Sequence, residues 1–74
     1  MIQISYQEFF ESYKDSLGVA GADELLKKAI SQANLFKKEY YSKEEALKIC
    51  DVLRQYGGFV CIIAGILASR FIIR

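Results

Sequence analysis

The side chains in this sequence that could carry chemistry are nine carboxylates, two cysteines and five tyrosines, and its 74 residues include no histidine. The group that most often serves as a general base near neutral pH is therefore missing. The acids Glu8, Glu11, Asp23, Glu24, Glu44, Glu45 and Asp51 fall mostly at expected helix starts or on expected wet faces. There a carboxylate caps a helix or favours its positive end. Cys50 and Cys61 allow at most one intrachain disulfide, and without histidine they make no zinc site. No GxGxxG, GxxxxGKS/T or CxxC spacing occurs, so the nucleotide and metal motifs are absent. A carboxylate site assembled across an oligomer interface stays open, but no catalytic, cofactor-binding or metal-binding residue can be named.

Charge points the same way. Ten Lys plus Arg face nine Asp plus Glu, for a formal net charge of +1. A nucleic-acid surface usually shows as a basic patch or stripe. The only basic doublets, Lys27-Lys28 and Lys37-Lys38, have Asp23, Glu24 and Glu39 close by, which reads as solvated helix surface. Met1-Ile2-Gln3-Ile4 carries neither a basic n-region nor a long apolar h-region, so the expectation is a cytoplasmic protein with reduced thiols.

The elements that must position these groups are helices. Proline is absent, so the glycines at 18, 21, 57, 58 and 65 are the main punctuation. Ser5-Tyr6-Gln7-Glu8 fits a capping box, and Tyr6, Phe9, Phe10, Tyr13 and Leu17 then mark one face of a helix over about 6–17, ended by Gly18. A second helix reads over about 22–36. Leu25, Leu26, Ala29, Ile30 and Ala33 form its inner face, Asp23–Lys27 and Glu24–Lys28 are paired outside, and Asn34 stands at its fraying end. Residues 37–41 read as a loop, with Tyr40 and Tyr41 covering the end of the bundle. Ser42-Lys43-Glu44-Glu45 is a second capping box, which opens a third helix.

From Phe59 this third helix is apolar on every face, with no charge between Gln55 and Ser69. Gly57-Gly58 costs a helix interior about 2 kcal/mol, less than the burial of one or two large side chains returns. The expectation is a continuous helix over about 43–73, roughly 45 Å long at 1.5 Å per residue, and two short helices cannot cover it. On such a helix Cys50 and Cys61 lie about 16 Å apart and cannot bond within the chain.

The architecture expected is one all-α domain over 1–74, a bundle of three helices, or four if Gly57-Gly58 breaks the third, with a long apolar C-terminal helix and an oligomeric state. Its expected core is Phe9, Phe10, Tyr13, Leu26, Ile30, Leu47, Leu53, Ile62 and Ile66. Chains this small usually need reinforcement, and oligomerisation is the device left once disulfides and metals are set aside. The function expected is a non-catalytic interaction or regulatory module that self-associates as an obligate homo-oligomer, with a dimer as the favoured form, through Gly57, Phe59, Cys61, Ile62, Gly65, Ile66, Ser69 and Phe71. The row Gly57, Cys61, Gly65 and Ser69 would permit close helix approach. The alternatives are an adaptor anchored in a membrane by its C-terminal tail, which needs about 20 mostly apolar residues, and a sensor of small apolar ligands.

Overall fold

Two serine boxes start the two halves of the chain. In the computed structural model, which describes residues 3–74, Ser5 Oγ accepts from Glu8 N at 3.3 Å and Ser42 Oγ from Glu45 N at 3.1 Å. The glutamates reach back to Ser5 N and Ser42 N at 3.3 and 2.9 Å. Each box thus satisfies amide groups that a helix start leaves unpaired, as the spacing predicted. Met1 and Ile2, the start of the segment read for an export signal, lie outside the described residues.

The first box opens α1, Tyr6–Gln32, which is broken at Gly18. With φ 77° and ψ 170°, Gly18 adopts a conformation that side-chain-bearing residues rarely reach. A straight helix of this length would run about 40 Å, whereas the longest dimension of the molecule is 31 Å. The two arms therefore fold back on each other, and Tyr6 Oη donates to Asp23 Oδ1 at 2.8 Å across the turn. The stop expected at Gly18 is present. The second arm ends at Gln32 rather than Phe36, because Asn34 turns left-handed (φ 61°) and Leu35 N and Asn34 N donate to Ile30 O and Ser31 O. Those two bonds make a Schellman close.

A small sheet, absent from the expected architecture, joins the two halves. Strands β1, Gln3–Ser5, and β2, Tyr40–Ser42, pair antiparallel with Ile4 opposite Tyr41. Helix predominates, but the all-α description and the loop over 37–41 are corrected to this extent. Three residues are too few to show alternation, and the pairing partner lies 37 residues away in sequence. Ile4 and Tyr41 are both buried, and the Tyr41 hydroxyl donates to Phe36 O and accepts from Lys38 N, both at 3.0 Å.

The expected continuous third helix is also corrected. Helix α2, Lys43–Arg54, stops, and α3, Gly58–Ile72, begins after Gly57 and Gly58 take positive φ values of 74° and 56°. Both glycines reach the left-handed region at little steric cost. The turn lays α3 back along α2 and buries Ala64, Leu67, Ala68 and Phe71 with Ile49, Cys50 and Leu53 within one chain. A straight helix would have left that surface in water, and its burial outweighs the helical hydrogen bonds given up at the turn.

Each half thus runs strand, helix, glycine turn, helix. The strand register maps onto itself when the halves are exchanged, since Gln3 pairs with Ser42 and Ser5 with Tyr40. The buried residues Leu26, Ala29, Ile30 and Ala33 recur 38 positions later as Ala64, Leu67, Ala68 and Phe71. Of the expected core, Phe9, Tyr13, Leu26, Ile30 and Leu53 are buried, and Phe10 and Leu47 pack half-buried against it. Ile62 and Ile66 are not core residues: they are 65% and 53% exposed.

Candidate interaction surface

Helix α3 has two faces of opposite fate. Its inner face, Ala64, Leu67, Ala68 and Phe71, closes the core, where the Phe71 ring meets that of Phe9 edge-on with centroids 5.4 Å apart. Tyr13 Oη fixes the other end by donating to Val60 O at 2.9 Å. The outer face carries Phe59, Ile62, Ile66, Ser69 and Ile73, all exposed. Their spacing of three, four, three and four residues is that of a helix-pairing seam. Elsewhere Val19, Phe36 and Tyr40 are exposed at turns and on the sheet, which is ordinary for single side chains.

The repeat supplies an internal control on what this outer face requires. The positions of the first half that correspond to Ile62, Gly65, Ile66 and Ser69 are Glu24, Lys27, Lys28 and Ser31, all exposed. At two positions of the outer row the first half is charged where the second is apolar, Glu24 against Ile62 and Lys28 against Ile66, whereas Phe59 and Ile73 correspond to Gly21 and Leu35. Gly65 is equally unexplained by the fold, because a Cβ built there meets nothing within 4 Å. A glycine inside a helix costs about 1 kcal/mol relative to alanine.

The expected site residues separate accordingly. Phe59, Ile62, Ile66 and Ser69 come together on the outer face, with Gly65 and Cys61 half-buried beside them. Phe71 is corrected to a core residue. Gly57 stands in the turn before α3 as its N-cap, so the spacing-four row of small residues does not share one helix with it. Ile73, 84% exposed, extends the outer face and was not among the expected site residues. The three-four spacing carried on from Ile66 would have found it.

Nothing at this face is equipped for acid–base work. Two carboxylates of α1, Asp23 and Glu8, are engaged in holding the fold. Asp23 accepts from Tyr6 and lies 3.2 Å from both Lys37 Nζ and Lys27 Nζ. The Tyr6 hydrogen bond first, then the lysines, hold its carboxyl down at about 2. The Asp23–Lys27 pair read from the sequence is present, whereas Glu24 and Lys28 form no ion pair among the described residues. Arg74 bonds Glu8 through both guanidinium arms and lowers its carboxyl below the usual range. Burial pushes the Cys50 thiol up to about 12, so it stays protonated and unreactive at neutral pH. Among the described residues, no three His, Cys, Asp or Glu side chains are placed to hold a metal ion.

Beside Phe59 a groove of about 250 Å³ runs between α1 and the α2–α3 turn, walled by Leu17, Leu25, Tyr56 and Val60 and rimmed by Glu24 and Lys28. A larger hollow of about 470 Å³ is bordered by Tyr6, Lys37, Lys38 and Tyr40 at the sheet. Among the described residues no helix is long and apolar enough to cross a membrane. Compared with known proteins, the chain matches no family model, no curated sequence and no solved structure.

Proposed function

We propose that the protein is a non-catalytic interaction module that self-associates as a dimer through the outer face of α3, with Phe59, Ile62, Ile66 and Ile73 as its apolar contacts. One observation carries this reading: the face that is Glu24, Lys27 and Lys28 in the first half is Ile62, Gly65 and Ile66 in the second. The repeat shows that the architecture tolerates charge at these positions. The isoleucines therefore serve something other than the fold of the single chain.

The size of the face suits a modest interface. Its four large residues expose roughly 450 Å² of apolar surface per copy, within the ~300–600 Å² of the largest patch on a typical monomer. Two copies would bury about 900 Å² there, and flanking groups bring the total near the ~1,200 Å² lower bound of stable specific interfaces. At about 25 cal/mol per Å² the gross gain is ~20 kcal/mol, against an association cost of ~4–15 kcal/mol or more. That balance fits micromolar self-association.

Sedimentation equilibrium from one to several hundred micromolar tests the reading. A reversible monomer–dimer equilibrium is expected. An 8.4 kDa monomer across the whole range would refute it.

A further inference from the structure

We propose that the two α3 helices of the dimer pack antiparallel across Ile66, with Arg70 of each copy set against the partner's Glu24. This rests on the self-association reading and adds the direction and register of pairing.

The outer row Phe59, Ile62, Ile66, Ser69 and Ile73 has Ile66 at its centre. Each residue turns the helix by about 100°, which puts Val60, Ile63 and Arg70 on one flank of the row and Gly65 and Ile72 on the other. The first flank lies against α1, where Val60 accepts from Tyr13 and lines the groove whose rim includes Glu24. A two-fold axis relating antiparallel helices lies across them and keeps like flanks on the same side. Arg70, four residues past Ile66, is thereby carried toward the Phe59 end of the partner helix, on the flank where the partner's Glu24 stands.

Both groups are available for that contact. Neither Arg70 nor Glu24 forms an ion pair or a side-chain hydrogen bond among the described residues. Arg70 borders a hollow beside Glu8 and Glu11 and acts on Glu8 only through its field, since Arg74 holds the hydrogen bonds. A parallel pair would instead hold each Arg70 at the C-terminal end, away from the partner's Glu24, and set the two helix dipoles side by side pointing the same way. On the opposite flank the two Gly65 residues meet next to the central Ile66, where the missing Cβ lets the backbones approach closely.

The test is charge exchange read by sedimentation equilibrium. Arg70→Glu and Glu24→Arg should each weaken dimerisation about tenfold, the scale of two reversed rim pairs per dimer. The double variant should return to within about threefold of the parent affinity. Disulfide trapping in a Cys61→Ser background gives a second measurement. An equimolar mixture of Ile62→Cys and Ser69→Cys chains should form the mixed cross-link, and neither alone should dimerise covalently. A parent dimer without rescue by the double variant, and with Ile62→Cys linking to itself, overturns the antiparallel pairing and leaves self-association standing. A parent chain that stays monomeric overturns both.

Discussion

Replacing Ile62 with Glu and Ile66 with Lys would give α3 the outward chemistry that Glu24 and Lys28 give the first half. The two isoleucines are 65% and 53% exposed in the single chain, so the change removes little from its core. Together they present roughly 200 Å² per copy, or about 400 Å² per dimer, worth ~10 kcal/mol of gross burial at 25 cal/mol per Å². That is about half the gross gain available to the interface, enough to abolish dimerisation at any practical concentration. Within the chain the balance runs the other way. Glu and Lys are somewhat better helix formers than Ile, and the introduced carboxylate and ammonium, one helical turn apart, add about 0.2–0.5 kcal/mol as a pair. The double variant should therefore sediment as a monomer while keeping its far-ultraviolet dichroism. If it unfolds, or if it and the parent chain show the same association constant, the outer face of α3 is not the interface and the contrast between the two halves has another cause.

Two glycines should respond oppositely to alanine. Gly57→Ala forces a side chain into φ 74° and should lower stability by about 1–2 kcal/mol in urea unfolding. Gly65→Ala, in helical conformation with open space around it, should stabilise the monomer by up to ~1 kcal/mol while weakening the dimer, measured by denaturation of dilute protein and by sedimentation. Phe71→Ala, at a fully buried ring, should cost about 3–5 kcal/mol and leave a largely unfolded chain by dichroism, which separates it from the outer-face residues. Asp23 and Glu8 have folded pKa values below their ordinary ones, so their stabilisation is present above the unfolded values of 3.8 and 4.5 and is lost as pH falls through the folded values. Acid titration of stability should show a loss from about pH 4.5 toward pH 2, and Asp23→Asn should shrink its lower part; an unchanged profile would count against the Asp23 assignment.

The sequence alone determined the local rules of this protein. Ser5 with Glu8 and Ser42 with Glu45 set two helix starts, because a capping box is complete within four residues. Gly18 and Asn34 marked breaks for the same reason, since a left-handed residue ends a helix whatever surrounds it. The apolar tail and its small residues raised the expectation of a partner chain, which is the reading proposed for α3. What the tertiary structure alone decided were the outcomes that depend on distant partners. Gly57-Gly58 was balanced between a strained helix and a turn, and the turn won because α2 offered Ile49, Cys50 and Leu53 for α3 to cover. The sheet needed Ile4 to meet Tyr41, which no local window contains. Phe71 and Ile66 look alike in a helix apolar on every side, and only packing against Phe9 made one core and left the other facing outward. Burial is a property of the whole arrangement, so a sequence apolar all round can name the helix without naming its free face.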